Sequence, residues 1–204
     1  MSPRPGLRLL AAALPLALLA PTAAHAEKVV TDDAVGDVVA LGPTEPGEDD
    51  LANLVPAPDN TTTDVVRTTV DHTGSRLRVR IDLRELGDAR LYFAGVRVRT
   101  PRGTYEVEID DLGRKPKPEL TRRGAVECSR LRADTDAATA RVVVTIPTTC
   151  LEDPRWVQVG VGVASGEMMT NADGAEEIVV HGDDAHRAGD VRNRIALGPK
   201  VRRG

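Results

Sequence analysis

Arg76-Leu77-Arg78-Val79-Arg80-Ile81-Asp82-Leu83 alternates charged and aliphatic residues without a break. A period of two puts every aliphatic residue on one side of an extended chain, so this stretch predicts a strand with one buried and one wet face. Reading back through a two-residue turn at Thr73-Gly74 gives a partner strand in which Val70 faces Leu77, Thr68 faces Val79, Val66 faces Ile81 and Asp71 faces Arg76. Reading forward, Thr100-Pro101-Arg102-Gly103 closes a second hairpin. It sets Val98 opposite Tyr105, Val96 opposite Val107 and, on the outer face, Arg97 opposite Glu106. A loop one residue shorter would oppose Val98 to Glu106, which hydrophobic pairing rejects.

Further alternating or aliphatic stretches at residues 35–41, 125–131, 141–146, 156–164 and 178–181 predict strands, with turn residues every eight to twelve positions. Val157, Val159, Val161 and Val163 share one face of theirs, while Gly160 and Gly162 on the other invite close approach by a neighbouring element. No amphipathic helix of useful length emerges, only a turn near residues 151–155 limited by Pro154. The fold class is therefore all-β: two antiparallel sheets stacked as a sandwich, jelly-roll or immunoglobulin-like. Residues 42–62, 110–123 and 166–176 read as loops, and the charged, glycine-containing tail is expected to fray at its end.

At the N-terminus, Arg4 and Arg8 precede an apolar run over residues 9–20, followed by Ala24-His25-Ala26. This is the pattern of a signal peptide at 1–26, cleaved after Ala26, leaving 27–204 as one secreted domain with no membrane anchor. Taking the two leader arginines from 27 basic residues leaves 25 against 31 acids, a formal charge of −6. That balance argues against nucleic acid, which needs a positive field. Arg outnumbers Lys 23 to 4, a bias of GC-rich bacterial genomes. In that setting Asn60-Thr61-Thr62 reads as a polar loop and not a glycosylation site. Cys128 and Cys150 are the only cysteines. In an exported chain they are expected to pair, closing a loop that stabilises by about 3 kcal/mol.

Asp32-Asp33-Ala34-Val35-Gly36-Asp37 places carboxylates on both sides of a tight turn, hard ligands of the kind calcium takes six to eight at a time. Asp33 and Asp37 are the leading candidates. Partners would come from Asp64, from Asp183 and Asp184 if the C-terminal segment returns beside the N-terminus, or from Glu48, Asp49 and Asp50. Asn171-Ala172-Asp173-Gly174 fails as an EF-hand, and Asp134-Thr135-Asp136 reads as turn chemistry. His181-Gly182-Asp183-Asp184-Ala185-His186 is the densest cluster of transition-metal ligands, though solvated histidines are its plainer reading. Ser165 misses the Gly-x-Ser-x-Gly elbow by one position, and a triad with His72 has no positive support. Arg67, Arg76, Arg78, Arg80, Arg97 and Arg99 form outward stripes that opposed acids should neutralise. Tyr92, Phe93, Tyr105 and Trp156 are the only aromatics, too few for a sugar-stacking platform. Tyr105 is expected in the core, and Trp156 as a core plug over the disulfide.

Asp33-x-x-Gly36-Asp37-Val38, Thr63-Asp64-Val65 leading to His72-Thr73 and Leu77-x-Val79, and Cys128 followed by Ile146-Pro147-x-x-Cys150-Leu151-x-x-Pro154-x-Trp156-Val157 resemble uncharacterised secreted proteins of actinobacteria, over nearly all of residues 27–204. More loosely, the architecture is similar to DOMON-like domains and family-nine carbohydrate-binding modules. That resemblance implies a sandwich with an early acidic turn contributing to a calcium site at Asp33 and Asp37, with Asp64 as a further ligand. The haem-ligating pattern and the aromatic sugar clamp of those families are missing, so neither ligand is carried over. The expectation is a secreted, non-catalytic domain binding a cell-wall polysaccharide, another extracellular polymer or a protein partner, with calcium as its cofactor. The alternative is a secreted hydrolase with a loop-assembled site.

Overall fold

A computed structural model of the chain describes residues 27–42, 51, 53–170, 174 and 176–204. The leader at 1–26, the acids Glu48, Asp49 and Asp50, and the pair Asn171 and Asp173 lie outside the described residues. In chain order, β1 (Glu27–Asp32), β2 (Val39–Leu41), β3 (Leu54–Pro56) and β4 (Val65–His72) precede the hairpin partner β5 (Arg76–Leu83). Then follow β6 (Leu91–Thr100), β7 (Gly103–Asp110), β8 (Lys117–Thr121), β9 (Arg132–Asp136) and β10 (Arg141–Pro147). The long β11 (Trp156–Thr170), β12 (Glu176–Asp184) and β13 (Lys200–Arg202) complete the strands.

The small sheet runs β1-β4-β5-β10-β9 and the large sheet β3-β2-β12-β11-β6-β7-β8, with β13 also paired to β11. All pairings are antiparallel and the two sheets pack together as the expected sandwich. Leu77, Val79 and Ile81 of β5 and Val142, Val144 and Ile146 of β10 supply one side of the core; Val96, Val98, Tyr105, Val107 and the odd-numbered valines of β11 supply the other. The alternation at 76–83 is thus the outline of the core itself.

The second hairpin has the expected register: Val98 pairs with Tyr105, Val96 with Val107 and Arg97 with Glu106. The first differs. Val70 pairs with Val79, Thr68 with Ile81 and Asp71 with Arg78. The chain reverses at Gly74-Ser75, one residue later than expected, because Thr73 organises the turn. Its hydroxyl accepts the Ser75 and Arg76 N–H groups and donates to the Arg76 carbonyl, the local competition hydroxyl side chains offer the backbone. The two-residue slip keeps Thr68, Val70 and the residues of β5 on their predicted faces, but a β-bulge between Val65 and Arg67 overturns the placement of Val66 opposite Ile81: Val65 takes the core position at 0% exposed and Val66 is only half-buried.

Other boundaries also moved. Residues 125–131 form no strand; Val126, Cys128 and Leu131 pack against the core from an irregular segment, so apolar spacing there imitates alternation. β8 lies within the expected loop 110–123, as an edge strand that tolerates Pro118. β3 lies within the expected loop 42–62, and β11 runs on through residues 166–170. At 35–41 only β2 is strand, because Val35-Gly36 is a turn. The helical turn spans Thr148–Leu151 instead of 151–155. Cys128 and Cys150 are joined, with Cα atoms 5.8 Å apart. Trp156 is only half-buried and lies under the Lys200 ammonium, 4.2 Å from the ring centroid, so it is no core plug.

The expected fraying of the tail is overturned. Val201 is 1% exposed, and the Gly204 N–H reaches the His72 carbonyl. Before that return, residues 185–199 cross the outer face of β11 and β6 as a strap. Gly198 N–H donates to Val159 O, and Arg97 donates to Ile195 O at 2.9 Å. The glycines flagged in sequence lie under it: a Cβ at position 160 would stand 1.9 Å from the Ala196 oxygen and one at 162 would stand 3.2 Å from Ile195 Cγ1; Gly95, not flagged, lies there too, its Cβ position 2.8 Å from Ile195 Cδ1. Gly160→Ala is therefore expected to lift the strap and cost about 1–3 kcal/mol in urea unfolding. Gly74→Ala, with nothing closer than 3.7 Å, should be nearly neutral.

Candidate metal centre

The segment 33–38 carries the chain from the small sheet to the large one at one end of the sandwich. Gly36, at φ +80°, adopts the left-handed conformation this reversal needs. Its N–H donates to Asp64 Oδ2 at 2.7 Å, tying the turn to the start of β4. Arg84, just past β5, donates to the same oxygen at 2.9 Å. Asp183, near the end of β12, accepts the Val65 N–H on Oδ2 at 2.7 Å and so bridges the sheets. Asp33 Oδ1 accepts the Ala34 N–H, and Asp37 Oδ2 accepts Gly189 N–H from the strap.

Each of these four carboxylates spends one oxygen on structure and leaves the other without a partner. Asp33 Oδ2, Asp37 Oδ1, Asp64 Oδ1 and Asp183 Oδ1 are all buried and unbonded. Asp64 is 0% and Asp183 3% exposed, and buried acceptors without donors are costly in a folded protein. Ligand oxygens of Asp33, Asp37 and Asp183 lie within 4.8 Å of one another, the only such grouping among the described residues. Against four acids, Arg84 is the one base among the described residues that pairs with any of them.

The electrostatics follow. Burial, reinforced by Asp37, Asp184 and Asp64, pushes Asp33 up to about 7. Burial, reinforced by Asp37, Asp33 and Asp64, pushes Asp183 up to about 8. Burial also raises Asp37, with Asp64 adding to it. Unpaired carboxylate oxygens with excess negative charge are the donor chemistry that hard cations such as calcium take.

The sequence candidates separate here. Asp33, Asp37 and Asp183 come together, and Asp64 stands beside them. Asp184 does not join: its carboxylate is taken by Arg187, His186 N–H and Ala196 N–H, which anchor the strap. Asp136 caps a helical turn, accepting from Ala138 N–H and the Thr139 hydroxyl. Asn60 accepts from Thr63 N–H within its own loop. His181 and His186 do not form a ligand group with the aspartates. Ser165 is fully buried, 2.8 Å from the Thr63 hydroxyl, and faces His181 across the β11–β12 ladder. His72 lies at the far end of β4 from Thr63, some 20 Å of strand away, so the two residues of the considered triad are apart. The arginine stripe is neutralised only in part, and not by the acids expected: Arg67 pairs with Asp32, Arg80 with Asp82 and Arg97 with the Ile195 carbonyl of the strap, while Asp71 and Glu106 form no ion pair among the described residues.

Sequence reasoning missed Arg84, Thr63 and the strap. The glycines at 160 and 162 were the one signal for the last of these. No protein-family model, curated protein or solved structure matches the chain.

Proposed function

We propose that this protein is an exported, non-catalytic β-sandwich domain that binds an extracellular polymer or a protein partner and carries a calcium ion among Asp33, Asp37, Asp64 and Asp183. The observation that carries the metal is the set of four buried carboxylate oxygens without hydrogen-bond donors at the crossing between the sheets. The leader pattern and the disulfide support export, where millimolar calcium and oxidising conditions coincide. In this reading calcium is structural: it joins the inter-sheet turn to β12 across the end of the sandwich.

Thermal unfolding with excess calcium and with chelator tests it. Saturation at about a hundred times the dissociation constant corresponds to about 2.7 kcal/mol, a midpoint rise of roughly 5–10 °C for a domain of this size. Asp183→Asn and Asp37→Asn should each abolish most of that rise. Identical midpoints with calcium and chelator would remove the metal from the proposal.

A further inference from the structure

Of the large apolar side chains left exposed, four converge on the outer face of the large sheet. Leu91 is 47%, Phe93 39%, Met168 58% and Ile178 53% exposed. The ladders make them neighbours: Leu91 pairs with Gly166, Phe93 with Ala164 and Met168 with Ile178. Gly166 has no side chain to separate them; a Cβ there would lie 3.1 Å from Leu91 Cδ1 and 3.3 Å from Ile178 Cγ2. The result is one apolar strip across β6, β11 and β12. Contiguous patches of this kind on a water-facing surface mark interaction sites.

The rim is predominantly acidic. Glu85, Asp88 and Glu167 line the depression beside the strip, and Glu176 and Glu177 stand exposed at the start of β12. Among the described residues, Arg90 is the only base lining that depression. None of the five acids forms an ion pair among the described residues. This rim selects the occupant. A second copy on the same face would press carboxylates against carboxylates, and an anionic lipid surface would be repelled. A saccharide would want flat rings, where this strip offers mostly aliphatic and thioether groups. Methionine also adapts its shape to varied apolar partners.

We propose that this face of β6, β11 and β12 docks a protein segment presenting large apolar side chains flanked by Lys or Arg. The inference rests on the binding-domain reading but not on the metal. The test titrates the full, disulfide-bonded chain with a labelled eight-residue peptide of alternating Leu and Lys, and with its Leu–Glu counterpart, at physiological salt. The Leu–Lys peptide should bind at least tenfold more tightly. The double variant Met168→Ser/Ile178→Ser should weaken it at least tenfold, as expected for central anchors, and Glu167→Lys/Glu176→Lys should invert the peptide preference. Peptide binding unchanged by the serine variant would overturn the proposal. So would wild-type dimerisation that the serine variant abolishes, or stronger binding to phosphatidylserine vesicles than to the peptide. Measuring the calcium-dependent midpoint shift in the same variants keeps failure of docking distinct from failure of the metal reading and verifies that the variants fold.

Discussion

Between pH 6.5 and 8 the chelator-treated protein is expected to lose stability as pH rises, and calcium to cancel the loss. Asp33 and Asp183 are raised from 3.8 to about 7 and about 8, so the folded state holds protons that the unfolded chain has released. Stability falls with pH wherever the folded state binds more protons. The penalty is therefore absent below 3.8, grows above it, and is complete once pH passes the folded values. His72 and His186 act oppositely: burial lowers both, so their contribution is lost as pH drops below 6.5. The two effects compete in moderate acid, which leaves the neutral-to-alkaline window for the carboxylates alone. Each retained proton gives a slope of up to about 1.4 kcal/mol per pH unit, on the order of 5 °C in the melting midpoint. A bound cation needs the charged carboxylates, so calcium affinity should rise across the same window. A flat midpoint from pH 6.5 to 8 in chelator would contradict the raised values.

Reduction of the Cys128–Cys150 bond is the other large effect. The bond fastens the irregular segment before β9 to the turn after β10, and both cysteines pack against the core. Closing a loop with a sequence separation of 22 stabilises by about 3 kcal/mol through the unfolded chain. Cys128→Ala/Cys150→Ala should therefore lower the urea midpoint and steepen the transition, because the unfolded chain without its cross-link exposes more surface. A melting midpoint lower by roughly 6–12 °C would accompany it. Equal midpoints with and without reductant would remove the stabilising role.

Where side-chain period and face burial coincide, the sequence was readable. The alternation at 76–83 and the hairpin at 100–103 needed nothing beyond pairing of aliphatic with aliphatic residues. Legibility failed where one hydroxyl or one distant contact decided. Thr73 moved a turn by one residue, and Val126, Cys128 and Leu131 reach the core without a ladder. At the candidate centre, Asp33 and Asp37 stood out because two acids flank a glycine in a short turn. Asp183 could not be ranked above Asp184, since which of two adjacent carboxylates faces inward depends on the parity of β12. Arg84 was invisible because its partner lies 20 residues away across the end of a hairpin.

The strap has one more consequence, for the order of assembly. Its anchors join residues far apart in the chain: 98 positions separate Arg97 from Ile195, and 152 separate Asp37 from Gly189. Such contacts close long loops and reward the chain only after the sheets beneath exist. The glycine track of β6 and β11 is therefore a bed laid down early and left bare, which the C-terminal segment fills last.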